Sequence, residues 1–103
     1  MFNDLKDKID YEYDKFTSYL SLVSRPDIMS RSFEIACKQA IYTRLCEDYA
    51  SGRLKKEMVD KLMAVNDVID FVYHKALMKN IITLQKNGLT STSWQQIITS
   101  LDF

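Results

Sequence analysis

Histidine occurs once in this 103-residue chain, at position 74, and cysteine and glycine occur only twice each. A zinc site needs several His or Cys ligands at short, regular spacings, and no second His or Cys falls at such a spacing from His74. Two glycines, Gly52 and Gly88, leave no glycine-rich loop to cradle a phosphate, so no cofactor or metal is expected. Charge of one sign is lacking too: Lys+Arg and Asp+Glu number 14 each, for a formal net charge of zero. That balance argues against binding nucleic acid by bulk counterion release, and equally against wholesale acidic imitation of DNA. No apolar run approaches the roughly 18 residues of a membrane span. The acidic start Met1-Phe2-Asn3-Asp4 has neither the basic nor the apolar region of a secretory signal. A cytoplasmic chain with no membrane partner is the expectation.

The two cysteines fit a reducing compartment. Cys37 and Cys46 fall in one helical pattern. At about 1.5 Å and 100° per residue they lie roughly 13 Å apart along the axis and face opposite ways. That excludes a disulfide between them, and they read as small apolar residues.

What the chain has is helical periodicity. Hydrophobic residues make up 47%, and the length suits one core, so residues 1–103 are expected to form a single helical domain. The first helix should run over about 3–24, starting at Asn3 or Asp4. Leu5, Ile9, Tyr13, Phe16, Leu20 and Val23 recur at spacings of three and four as its apolar stripe. A thinner line of Tyr11, Lys15, Ser18 and Leu22 lies opposite. Pro26 disfavours helical geometry at Arg25 and suits the first position of a second helix over 26–51, with Gly52 as its C-terminal stop.

Within that second helix the apolar face changes direction. Met29, Phe33, Ala36, Cys37 and Ala40 give way to Ile41, Tyr42, Leu45, Cys46 and Tyr49, a swing of roughly half a turn at 100° per residue. Ile41, Leu45 and Tyr49 are therefore expected to be buried on a side different from Phe33 and Ala40, against different partners. From Leu54 one phase persists through Met58, Leu62, Val65, Ile69, Val72, Tyr73 and Ala76, extending to Lys86. An unbroken helix there would be about 50 Å long, too long for a domain of this size. The break is placed at Asn66-Asp67, with Lys79-Asn80 as the alternative, giving helices over 54–65 and 67–86. Thr90–Ser93 is a polar connector, and Ser93-Trp94-Gln95-Gln96 reads as a capping box opening a short helix over 94–102. The fold class is all-α, a compact bundle of four to five helices.

Chemistry-bearing constellations are few. Asp70 precedes His74 by one helical turn, a spacing that suits a base oriented by a carboxylate. No nucleophile is signposted beside the pair, so a surface contact is the simpler reading and the chain reads as non-enzymatic. Charge is unevenly distributed. Asp4, Asp7, Asp10, Glu12 and Asp14 crowd the N-terminus, and Asp7, Asp10 and Asp14 fall within about 60° on the first helix. Arg53, Lys55, Lys56 and Lys61 form a basic cluster after the second. Six tyrosines are present. Tyr11 and Tyr19 lie off the first stripe, and Tyr42 and Tyr49 lie on the swung face. Tyrosine suits interfaces because it is apolar at one end and tolerates water at the other. The expected protein-binding residues are Asp7, Asp10, Tyr11, Asp14, Tyr42 and Tyr49, and a symmetric homodimer through Tyr11, Tyr42 or Tyr49 is one form of such binding. The alternative is a nucleic-acid-associated regulator using Arg53, Lys55, Lys56 and Lys61.

Three runs resemble a small all-helical family of unknown function from Firmicutes genomes and their mobile elements: Tyr11-Glu12-Tyr13-Asp14-Lys15-Phe16, Ser32-Phe33-Glu34-Ile35-Ala36-Cys37-Lys38-Gln39 and Val68-Ile69-Asp70-Phe71-Val72-Tyr73. The likeness covers roughly residues 5–78 and carries over no catalytic residue. It implies a bacterial protein in a phage or integrative-element setting, where small proteins inhibit or regulate host machines, CRISPR nucleases among them. The functional expectation is a non-enzymatic interaction module of that kind.

Overall fold

The computed structural model describes residues 2–26, 31–79 and 91–101. Five helices carry the described residues, with no strand among them: α1 (Leu5–Leu20), α2 (Ser32–Ala50), α3 (Lys56–Ala64), α4 (Val68–Met78) and α5 (Ser91–Thr99). The fold is all-α, and none of these helices is long and apolar enough to cross a membrane.

Helix α1 starts where its cap allows. The Asp4 backbone is extended, and its carboxylate accepts a hydrogen bond from the Asp7 amide at 2.9 Å, satisfying one of the donors a helix start leaves free. The helix ends at Leu20, a turn short of the predicted Ser24. Thr17 and Ser21 donate their hydroxyls back to the carbonyls of Asp14 and Ser18, which competes with helix continuation. Leu22 is 86% exposed, so no apolar contact holds a further turn. The expected helix over 26–51 is not one element: Arg25 and Pro26 are helical, against the expectation for Arg25, residues 27–30 lie outside the described residues, Arg31 leaves helical geometry at φ −103° and ψ 11°, and α2 begins only at Ser32.

Helix α2 is a single unbroken element, and the predicted swing of its apolar face is absent. One line, Cys37, Ile41 and Leu45, is buried. Phe33, Tyr42, Cys46 and Tyr49 pack at its margins against the same core. The apparent swing arises because two core-facing positions carry charge, Lys38 and Asp48, both buried. A stripe read from apolar residues alone steps around them. The helix closes as expected. Gly52 takes φ +76°, its amide donates to Tyr49 O at 3.3 Å, and the Arg53 amide donates to Asp48 O at 2.9 Å. This is the paired bonding of a Schellman stop, which needs a residue at ease in the left-handed region.

The long apolar pattern breaks at Val65–Asp67, where Asn66-Asp67 predicted it. Asp67 caps α4 by accepting from the Asp70 amide at 3.2 Å. Helix α4 ends at Met78 with Lys79 as its cap, short of the predicted Lys86 and at the Lys79-Asn80 position where the apolar stripe loses phase. The expected continuation over 80–86 and the Asn87-Gly88 stop lie outside the described residues. Helix α5 starts at Ser91, one turn before the predicted capping box, so Ser93 sits inside it. Burial of Trp94 and Ile97 outweighs the modest preference of Ser and Thr for caps over helix interiors. The core is one cluster, built from Leu5 and Ile9 of α1, the α2 line, Leu62 of α3, Val68, Ile69, Val72, Tyr73 and Ala76 of α4, and Trp94 and Ile97 of α5.

Candidate partner-binding face of the first helix

The inner side of α1 decides where its outer side points. Lys8 is buried and its ammonium donates to the carbonyls of Leu62 at 3.2 Å, Met63 at 2.8 Å and Val65. These belong to the end of α3, where carbonyls run short of helical partners (Leu62 O also accepts the Val65 amide at 3.1 Å) and the helix dipole favours a cation. One turn on, Glu12 Oε1 accepts from the Ile69 amide at 3.2 Å, at the start of α4, where free amides favour an anion. A Lys–Glu pair on one helix therefore clasps the end of one helix and the beginning of the next. Burial raises the Glu12 carboxyl above its ordinary range, against the pull of the Val68 and Ile69 amides. Its second oxygen, Oε2, is buried with no hydrogen-bond partner among the described residues.

Two further buried charges tie the remaining helices. Lys38 bridges Glu34 at 2.9 Å and Asp70 at 3.0 Å and sits 4.8 Å from the Phe16 ring centroid. Burial alone would lower its pKa, but its two carboxylate partners outweigh that and raise it. Asp48 accepts the Trp94 indole N–H at 2.7 Å and pairs with Arg53 at 3.3 Å. It thereby pins α5 to the end of α2.

The outer side of α1 is left open. Tyr11, Lys15 and Tyr19 follow at i, i+4 and i+8 and form one line along it. Tyr11 is 55% exposed and Tyr19 46%. Asp7 and Asp14 are exposed beside Tyr11, and their carboxylates carry no hydrogen bond or ion pair among the described residues. Next to the aromatic line runs a groove of about 380 Å³, walled by Tyr11, Glu12, Lys15, Phe16 and Tyr19 together with Phe2, Asn66 and Asp67. The Phe2 ring lies 5.3 Å from that of Tyr11, and the Arg31 guanidinium lies 5.6 Å from the Tyr19 centroid.

The predicted binding residues separate into two groups. Asp7, Tyr11 and Asp14 lie together on this open face. Asp10 and Tyr42 meet each other instead, the hydroxyl donating to the carboxylate at 2.6 Å, with Lys6 on the other oxygen at 2.6 Å. Tyr42 also stacks on Tyr13 at 4.2 Å and 5°. Partial burial would raise Asp10, yet the bonds from Lys6 and Tyr42 hold it below its usual range, and the Tyr42 hydroxyl is pushed far above the phenolic range by its bond to Asp10. Tyr49 is half-buried against the core. Tyr19 belongs to the open face although it was not among the predicted residues. Its i+8 spacing from Tyr11, off the apolar stripe, was the available signal.

The other constellations are less organised. Arg53 is engaged by Asp48, and Lys61 makes a contact of its own within the fold, leaving Lys55 and Lys56 of the basic cluster exposed without a paired group among the described residues. Asp70 and His74 meet as the spacing implied, with Nδ1 3.2 Å from the carboxylate. They line a shallow depression with Val65, Asn66, Asp67, Phe71, Lys75 and Met78, a set without a hydroxyl or thiol. Cys37 and Cys46 are free thiols raised by burial, which disfavours the nucleophilic thiolate. Among the described residues no cluster of His, Cys, Asp or Glu could hold a metal ion. No protein-family model matches the chain, and neither does any curated protein or solved structure.

Proposed function

We propose that the chain is a non-enzymatic protein-binding module whose contact surface is the outer face of α1. The observation that carries this reading is the exposed line Tyr11–Lys15–Tyr19 flanked by Asp7 and Asp14. Exposed aromatics are the residues that most often anchor protein contacts, and acids beside them accelerate encounter with a basic partner and select it. Asp10, Tyr42 and Tyr49 are engaged by contacts within the fold. The resemblance to proteins of mobile elements adds a context in which the partner is a bacterial host machine, and a nucleic-acid enzyme such as a CRISPR nuclease presents the basic groove that this face suits.

The test is affinity capture from a bacterial host with the full chain, followed by binding measurements on the captured partner. The variants Tyr11→Ala/Tyr19→Ala and Asp7→Lys/Asp14→Lys avoid the core, so helix content should match the parent by circular dichroism. Each should weaken binding at least about tenfold, as truncation of an interface anchor does. Binding by both at parental strength would overturn the assignment. Steep loss of parental binding with salt together with sensitivity to Lys55→Glu/Lys56→Glu would favour a nucleic-acid contact instead.

A further inference from the structure

We propose that the outer face of α1 packs against the same face of a second copy, in an antiparallel pair whose two-fold axis passes beside Tyr11. This rests on reading that face as a protein-binding surface and names its occupant when no other protein holds it. Three observations select the second copy. First, the line is self-complementary in charge. Asp7, Tyr11 and Lys15 are all exposed and follow at i, i+4 and i+8. They share one side of the helix, with the acid about 6 Å before the ring and the cation about 6 Å after it. Reversing such a line about Tyr11 sets Asp7 of each copy level with Lys15 of the other. Neither side chain has an ion pair of its own among the described residues, so both are available. Second, the wider face has the same polarity. Asp4 is exposed beyond Asp7, while the Arg31 guanidinium lies over Tyr19 toward the other end. An antiparallel partner brings each acidic end to a basic end, and a parallel one would set like charges together. Third, the middle of the line is aromatic. The Phe2 ring tilts against Tyr11 at 5.3 Å and 52°, so two-fold pairing gathers four rings at the axis, with charges at the rim, as protein contacts favour. Asp14 is rotated about 100° from Lys15 and stays outside the contact. Two single helices bury little area, so the pair is of the weak class, with a dissociation constant on the order of 0.1 mM.

The experiment is sedimentation equilibrium of the full chain from about 10 µM to about 1 mM, with charge-swap variants and cysteine cross-linking to fix the register. Asp7→Lys and Lys15→Asp should each weaken pairing about tenfold, because each replacement acts twice across the axis. The double variant Asp7→Lys/Lys15→Asp should regain parental pairing. An equimolar mixture of the two single variants should pair more tightly than either alone. Asp14→Lys should pair at least as tightly as the parent. Under mild oxidation Tyr11→Cys should form a cross-linked dimer, because residues on the axis of two packed helices come within disulfide range. Ser18→Cys, about 20 Å from its symmetry mate in this register, should cross-link no more than the parent chain. A chain that stays monomeric at 1 mM, a double variant that does not recover, or Ser18→Cys cross-linking in place of Tyr11→Cys would overturn the proposal. If the chain stays monomeric while Tyr11→Ala/Tyr19→Ala loses the captured partner, self-pairing falls and the protein-binding reading stands. If the chain pairs in this register while that double variant keeps its captured partner, the pairing stands and the assignment of the captured partner to this face falls.

Discussion

Replacing Lys8 by Met isolates the clasp on the end of α3. Methionine retains the methylene packing of the lysine stem and removes only the ammonium, which donates to the carbonyls of Leu62, Met63 and Val65. A hydrogen bond to a charged group contributes about 1.5–3 kcal/mol, and a buried acceptor left bare costs about 1–3 kcal/mol. Cation and helix-end attraction reaches about 2 kcal/mol in partly buried geometry. These terms describe one ammonium and overlap, so the expected loss is about 3 kcal/mol rather than their total. A domain of about this size loses roughly 4–8 °C of Tm per kcal/mol, which puts the shift at about 12–24 °C. Urea and thermal unfolding followed by far-UV circular dichroism measure it. Lys6→Met is the control, since Lys6 lies in the same turn but makes an exposed i, i+4 pair with Asp10, and such pairs contribute little. A Lys8→Met midpoint equal to that of the parent, or of Lys6→Met, would refute the claim that the ammonium holds the end of α3.

Glu12→Gln should show a stability gain over the parent that depends on pH. Burial raises the Glu12 carboxyl in the folded chain, so the folded state binds the proton more readily and parental stability falls as pH rises through that raised value. The variant's relative advantage should be largest at neutral pH and shrink below the ordinary glutamate range, as read from urea midpoints at several pH values. Trp94→Phe removes the 2.7 Å bond to buried Asp48 and should cost about 2–4 kcal/mol by chemical denaturation, more than an isolated core trim because a carboxylate oxygen is left without its donor. Gly52→Ala should cost about 1 kcal/mol in thermal melts, from φ +76° alone, since a Cβ there meets nothing within 4 Å, and Gly52→Asn should recover much of it.

The helices were legible in the sequence because their apolar residues recur at the helical period and their ends carry local signals. Asp4, Gly52 and Asp67 act through bonds to residues within four positions, which a linear reading can see. Lys8, Glu12, Lys38 and Asp48 were not legible as buried groups. Each has a partner on another helix, in addition to the local partners Glu34 of Lys38 and Arg53 of Asp48, and a charged residue beside an apolar stripe reads as a solvated one. The same blindness produced the spurious swing in α2, and it hid the bond by which Asp10, still 39% exposed, and Tyr42 meet across α1 and α2. On the candidate face, Tyr11 stood out because an aromatic off the stripe has no core to enter. The groove beside it was invisible, since one wall comes from Phe2 and the α3–α4 corner residues Asn66 and Asp67.

The Lys8–Glu12 pair also acts as a register lock. The apolar inner side of α1 repeats about every turn, so a slide of four residues would still turn apolar residues to the core, although it would set Tyr13 in the place of fully buried Ile9. Slip one way brings the Glu12 carboxylate against the carbonyls that now receive Lys8. Slip the other way brings the Lys8 ammonium against the amides that now receive Glu12. Either displacement turns an attraction into a repulsion at a helix end, so the opposite signs of Lys8 and Glu12 reinforce the alignment that burial of Leu5 and Ile9 selects.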